Sequence, residues 1–487
     1  MLLGFVLLYL VISIGIGVYA ATKVHNAKDY IAAGRSLPLY IVMAMVFATW
    51  FGAETVLGIP ATFMEEDLGG LISDPFGASL CLVLFGLFFA RKLYRMNLLT
   101  IVDYYRERYD RRVEVITGIA IVLSYLGWVS AQITALGLVF NVLSDGQITQ
   151  AQGIMIGAAV VLMYTLYGGM WSVALTTFFQ MIVIVLGLFY IAWLVSDLTG
   201  GVAPVVQHAL DNDKFRFWPD LNAVAMVAFI SGLLTMGFGS IPQQDVFQRA
   251  NASKNEHVAV WGTVGGGIAY FLFAAVPLFL TYSALLIDPA MTSHFLGEDA
   301  QKILPLLVSG HLPLFAQVIF YGALLAVIMS TASGTLLAPS VTLSENVLKG
   351  FVTRRKHLSE KDLLTLTRKV VAVFAVLVTL YALWALDQDT GIHQMVENAY
   401  KVTLVLAFVP LVAGLYWKRA TTRGAYWAIA LGLATWLPLE FLAPEGEGFM
   451  PPQFAGFLAA CAGMVVGSLS SWSSKKSSLR DRRVADS

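Results

Sequence analysis

Apolar runs of about one membrane thickness, separated by short polar connections, recur along the whole chain. Thirteen stand out, at roughly 2–21, 38–64, 71–90, 113–143, 151–167, 171–197, 221–241, 258–287, 313–347, 370–388, 394–417, 424–442 and 453–472. A helix needs ~20 apolar residues to cross the hydrocarbon layer. The pattern therefore predicts an all-α integral membrane protein with 13 transmembrane helices. One run breaks its own pattern. Residues 43–63, MAMVFATWFGAETVLGIPATF, carry Glu54 near the middle and are interrupted by Gly52, Gly58 and Pro60. An intramembrane acid costs at least ~2.5 kcal/mol and so faces a partner or an aqueous cavity. Backbone that leaves the helix at membrane depth is tolerated where it lines a cavity, and its freed carbonyls can then hold a cation. Two readings stay open: a kinked structural helix with Glu54 paired to a neighbour, or a binding site for a cation and a substrate.

The connections orient the chain. Loops 22–37, 91–112, 242–257, 348–369 and 418–423, with the tail after 472, hold 27 of the 31 lysines and arginines. Such an excess marks the cytoplasmic side, which puts the N-terminus outside and the C-terminus in the cytoplasm. Segment 2–21 has no positive region ahead of it and reads as a span, not as a signal peptide. Stretch 91–112 alternates apolar and charged positions, as a short amphipathic helix on the inner surface would.

Composition adds exclusions. Charged residues make up 13% against ~25% in soluble domains, and 58% are hydrophobic. The formal net charge is zero, which gives nucleic acid no purchase. Cys81 and Cys461 are the only cysteines and both lie in apolar runs, so neither a disulfide framework nor a metal-ligand spacing is expected. No nucleophile–base constellation or cofactor motif suggests an enzyme.

Segments 38–64 and 221–241 both end in glycine- and proline-interrupted stretches, the second reading LLTMGFGSIPQQ. Five segments counted from each start give blocks 38–197 and 221–417, of opposite orientation because five is odd. Paired interrupted helices at corresponding positions point to a transporter site at the midplane. Around the blocks lie a leading helix and inner loop (1–37), two peripheral helices (424–472) and a basic cytoplasmic tail (473–487) near lipid headgroups. Within 326–340, AVIMSTASGTLLAPS, hydroxyls cluster at Ser330, Thr331, Ser333, Thr335 and Ser340. They suit a hard cation such as sodium, and they equally suit close helix packing.

Six stretches, in order, resemble the sodium/solute symporter family: YIAAGRSLP (30–38), ATWFGAETVLG (48–58), YGGMWSVALTTFFQ (167–180), GSIPQQDVFQRANASKNEHVA (239–259), IMSTASGTLL (328–337) and PLVAGLYWKRATTRGA (410–425). The resemblance implies a five-plus-five inverted repeat of the LeuT type and sodium as the co-transported ion. It assigns sodium ligands to the carbonyls of Ala48, Phe51 and Val327 and to the hydroxyls of Ser330 and Thr331. A second sodium site of some members is expected to be absent, because Thr177 stands for an aspartate and Gly334 follows Ser333. One sodium per substrate follows.

For substrate, the chain looks nearest to the choline-transporter branch, which implies an aromatic site built on Trp50 and Trp128, unless these two rings simply pack. Gln243 departs from that branch, which carries tryptophan there. Asp74 falls near a substrate position of the family's sugar transporters, or caps its helix at the outer interface. Glu397 and Lys401 lie four apart on one helix face, as a mutual pair or as a gate. The resulting expectation is a sodium-coupled symporter importing a small organic solute of the cationic or quaternary-amine kind. The alternatives are an amino acid or organic anion as substrate, or a membrane sensor acting with a separate signalling partner. Membrane lipid and a small-molecule substrate are the partners expected, with no obligate protein partner, in a bacterial inner membrane.

Overall fold

The computed structural model describes residues 31–296, 298–349, 359–388, 390–442 and 449–485, with eight isolated positions before residue 31. The first apolar segment, 2–21, therefore lies essentially outside the described residues. The rest is helical throughout. Among the described residues, nine helices are long and apolar enough to cross a membrane, and two bent pairs raise the number to 11.

The first bent pair is α1 (Leu39–Trp50) and α2 (Glu54–Glu65), which meet at 55°. Then come α3 (Leu68–Arg95) and α4 (Arg111–Leu143). The next helical run, Gln150–Leu198, is divided at Gly169, whose φ of 51° and ψ of −152° no helix contains. Its parts are α5 (150–168) and α6 (Gly169–Leu198). The second bent pair is α7 (Ala223–Gly239) and α8 (Gln244–Asn251), meeting at 45°. Next in order are α9 (Glu256–Ile287), α10 (Leu314–Leu348), α11 (Lys361–Asp387), α12 (Ile392–Tyr416), α13 (Thr422–Leu442) and α14 (Pro452–Ser470).

Burial separates centre from rim. The apolar windows of α4 and α10 are 72% buried, that of α13 only 28%. The central helices carry apolar residues all round, as helices enclosed by others must. α6 instead exposes Leu186, Phe189 and Trp193 along one side. That spacing makes a continuous apolar stripe, which a lipid surrounding accommodates and water does not.

Three details differ from the sequence pattern. The second broken span continues to Asn251, although QDVFQRAN is polar, because these residues are buried against protein and not against lipid. α11 starts about ten residues before the apolar run at 370, on an amphipathic turn opened by a Ser359–Asp362 capping box. Stretch 91–112 takes in the end of α3, a short helix at Ile101–Arg108 and the start of α4, and in the short helix Ile101, Val102, Tyr104 and Tyr105 are buried in the protein, where a surface helix would leave them against headgroups.

Candidate functional site

The break between α1 and α2 organises the centre. Phe51 leaves the helix at φ −74°, ψ 80°, and the Gly52 N–H turns to the Trp50 carbonyl at 2.8 Å. The Ala48 carbonyl thereby loses its usual helical donor. A Cβ on Gly52 would meet Gln132 Oε1 at 2.9 Å and the Thr331 methyl at 3.2 Å, so only glycine fits here. Gln132, on α4, secures the other side of the break by accepting the Ala53 N–H at 2.9 Å.

α10 faces this break with its hydroxyls. Thr331 Oγ1 donates to the Ala48 carbonyl at 3.0 Å and stands 3.5 Å from the Phe51 carbonyl. Ser330 Oγ lies 3.1 Å from Thr177 Oγ1 of α6. Val327 sits one turn earlier on the same buried helix. The result is a buried group of neutral oxygens from three helices, with no charged ligand among them. Hydroxyl and carbonyl oxygens are the donors a hard monovalent cation takes. Thr177 is thus a neighbour of the Ser330–Thr331 pair itself.

One residue along, Trp50 opens a second cluster. Its ring lies 5.2 Å from Trp128 and 5.4 Å from Tyr400, and those two are 5.6 Å apart. Tyr125 stacks on the outer face of Trp128 at 5.8 Å. Gln243, at the start of α8, donates its amide to Ser124 at 2.9 Å and to Thr403 at 3.4 Å. Trp50 and Tyr400 are therefore brought together from helices about 350 residues apart in sequence. Three buried polar atoms of the cluster have no partner among the described residues: Trp50 Nε1, Tyr400 OH and Gln243 Oε1.

A third cluster begins at Glu54, the first residue of α2. Glu54 is 1% exposed and Asp74, from an extended residue within α3, is fully buried. Glu54 Oε1 faces His393 Nδ1 at 3.2 Å, and His393 Nε2 faces Ser73 Oγ at 3.3 Å. Tyr270 OH donates to Asp74 and stands 3.1 Å from Thr55 Oγ1, which donates to the Trp50 carbonyl at 2.8 Å. The helix cap expected of Asp74 is made by Asp67, which accepts the N–H groups of Gly69 and Gly70. His393 also lines an open cavity of about 630 Å³ together with Glu65, Glu66, Glu298, Asp299 and Glu397.

The five expected substrate residues thus divide. Trp50 and Trp128 meet, and Gln243 bonds Ser124 and Thr403, one turn from Trp128 and Tyr400 on their helices; Glu54 and Asp74 lie elsewhere, beyond the break, bridged by His393 with Ser73 and by Tyr270 with Thr55. Lys401 reaches Glu440 of α13 at 3.4 Å, and Glu440 also takes the Trp436 N–H at 2.9 Å. Tyr400, His393, Tyr270 and Gln132 join these clusters without having been expected from the sequence pattern. Gln132 carries a usable signal, an amide in the middle of a long apolar helix whose other amide, Asn141, lies near its end. His393 stands just ahead of the apolar run at 394, and the rings of Tyr400 and Tyr270 look like any span residue until the fold pairs them.

A model of the sodium:solute symporter family matches residues 30–432. The high-affinity choline transporter 1 of Caenorhabditis elegans is 25% identical over 510 residues, covering 96% of this chain and 85% of that one. The osmoregulated proline transporter of Bacillus subtilis is also 25% identical, covering 96% and 95%. In fold, the chain is similar to a sodium-coupled sialic acid symporter in a substrate-bound outward-open state, with a TM-score of 0.79 at 18% identity over 96% of this chain and 97% of that one.

Proposed function

The chain belongs to the sodium:solute symporter family, and from that premise we propose which oxygens take the ion and what kind of solute accompanies it. Membership makes it a membrane transporter, not an enzyme, that couples sodium to a small organic solute. Sodium in this reading sits among the carbonyls of Ala48, Phe51 and Val327 and the hydroxyls of Ser330 and Thr331. The contact of Thr331 with the Ala48 carbonyl supports it. When sodium enters, the hydroxyl turns its lone pairs to the ion and the carbonyl exchanges one partner for another.

The solute carries a positively charged nitrogen that bears hydrogen, as an amino acid or simple amine does. The observation that carries this is the Trp50–Trp128–Tyr400 cluster with its three unpartnered polar atoms. Aromatic faces attract a cation by ~0.5–2 kcal/mol per ring. Gln243 Oε1 accepts an ammonium N–H, while Trp50 Nε1 and Tyr400 OH donate to a carboxylate. A zwitterion satisfies all three. A quaternary amine uses the rings but gives Gln243 nothing; similarity to the choline transporters keeps it as the second reading.

The same reading gives the chain thirteen helices: the described spans, α5 and the leading segment 2–21, with blocks 38–197 and 221–417 as inverted repeats. The lysine and arginine asymmetry supports an outside N-terminus. Uptake into proteoliposomes under a sodium gradient tests the assignment, with amino acids, quaternary amines, sugars and carboxylates compared. Sodium-driven uptake of an amino acid that Trp50→Ala weakens is the expected result. Uptake confined to sugars or carboxylates would overturn the charged-nitrogen assignment.

A further inference from the structure

We propose that Glu54 and Asp74 form a second ion site, which holds one proton between the two carboxyl groups and exchanges it with the outer cavity through His393. The inference rests on the sodium-symport reading, since it concerns how a second ion acts on the sodium site.

The hydrogen-bond inventory of the pair requires a proton. Each carboxyl has one oxygen supplied: Glu54 Oε1 by His393 and Asp74 Oδ1 by Tyr270. Glu54 Oε2 and Asp74 Oδ2 have no donor among the described residues. His393 spans Glu54 and Ser73, and Tyr270 spans Asp74 and Thr55, which sets the two carboxyl groups side by side. Two buried carboxylates side by side do not both ionise; one shared proton supplies the missing donor and removes one buried charge.

The groups facing the pair leave that need in place. Tyr270 comes from α9, and His393 and Glu397 from α12; Asp299 and Lys302 lie on the short helical turn that packs on α2 at the cavity. α7, packed against the Asp74 segment, contains no titratable side chain, and α4 contributes the neutral Gln132 near the break. A second sodium fits poorly, because two of the four carboxyl oxygens are already engaged and an imidazole is not a hard ligand.

Access and linkage are both built in. The pair does not line the 630 Å³ cavity, whereas His393 does, with 13% of its side chain exposed. A proton taken from cavity water by the imidazole passes to Glu54, and returns by the same route. Inward, Asp74 connects through Tyr270 and Thr55 to the Trp50 carbonyl, inside the break that presents the sodium-binding carbonyls. Glu54 follows Phe51 by three residues, a span of about 10 Å even at full extension. At that range, removing the proton adds a negative charge that strengthens sodium binding by roughly tenfold. By reciprocity, sodium expels the proton. Sodium affinity therefore rises with pH.

The test is equilibrium binding of radioactive sodium to the purified full-length protein between pH 5.5 and 9, with proton release on sodium addition followed in weak buffer. Wild type is expected to gain on the order of tenfold in sodium affinity as pH rises and to release protons. Glu54→Gln and Asp74→Asn each supply a permanent amide donor, so both are expected to keep the weak low-pH affinity throughout. A flat wild-type profile without proton release overturns the proposal. So does a slope that persists in both variants and vanishes in His393→Asn, or two sodium ions per chain falling to one in Glu54→Gln. Absence of sodium binding at every pH would strike the sodium assignment itself and remove the basis of this one with it. Proton release needs no variant, so a misfolded substitution does not decide the outcome.

Discussion

Thr331→Ala isolates one ligand of the proposed sodium site. The Thr331 hydroxyl is the one group that touches both broken-helix carbonyls, at 3.0 Å from Ala48 and 3.5 Å from Phe51. Alanine removes an oxygen from the loaded site and, in the empty site, leaves the buried Ala48 carbonyl without its donor. An unmatched buried polar group costs ~1–3 kcal/mol, and losing a neutral ligand of a charged species falls in the upper part of that range. The first penalty weakens the ion-bound state and the second weakens the ion-free state, so they oppose one another. The net expectation is sodium affinity lowered by roughly 5- to 50-fold, or ~1–2.3 kcal/mol. Thr331→Ser keeps the oxygen and is expected to stay within a few-fold of wild type. Radioactive-sodium binding at fixed pH gives the dissociation constants directly. Wild-type affinity in Thr331→Ala would refute the assignment. Equal loss in the alanine and serine variants would instead assign the effect to the Thr331 methyl, which lies against Gly52.

Gly52→Ala places a methyl 2.9 Å from Gln132 Oε1; transport is expected to fall at least tenfold, with partial recovery when Gln132→Ala is added, and normal transport in the single variant would refute the close-approach argument. Trp50→Ala removes a ring from the cluster, which should raise the substrate KM by roughly 2- to 30-fold at ~0.5–2 kcal/mol while leaving half-saturating sodium unchanged. Loss of sodium affinity without a KM change would place Trp50 in the ion site instead. One sodium is expected per substrate, since Thr177 adjoins Ser330 and a side chain on Gly334 would meet the Arg249 guanidinium at 2.5 Å. The reversal potential of substrate-coupled current, measured as the sodium gradient varies, distinguishes one ion from two.

Much of the architecture was legible because hydropathy reports on lipid, and most spans here face lipid on some side. Hydropathy is silent where protein replaces lipid as the neighbour. Gln244–Asn251 is buried yet polar, so no apolar run announces it. The broken helix was legible through a different signal, glycine and proline set against a carboxylate in 43–63. Its partners were less so. Ser330 and Thr331 came through a motif, whereas Tyr400 joins Trp50 only because α12 packs on α4. Glu54 and Asp74 were each noticed singly. That they lie side by side, and that His393 stands over them, depends on a three-helix meeting which no spacing in one sequence encodes. Lys401 shows the converse: its helix-face neighbour Glu397 was plain in the sequence, while Glu440, 39 residues on, was not.

Coupling requires that each ligand bind one conformation of the protein better than another, because a ligand with equal affinity for both shifts nothing. Residues 48–55 concentrate the means. Ala48 and Phe51 present their carbonyls to the hydroxyls of α10, Trp50 presents its ring to Trp128 and Tyr400, and Glu54 presents its carboxyl to Asp74 and His393. The hinge between them is held by Gln132 from one side and by Thr55 on the Trp50 carbonyl from the other. The Trp50 carbonyl and the Ala53 N–H lie between the three clusters, so a shift of this hinge carries all three with it. A straight helix would spread these residues around its circumference and leave the carbonyls bonded to their own turn. The break turns them toward three separate partners while keeping them within eight residues, which makes the binding of an ion at one a mechanical event at the others.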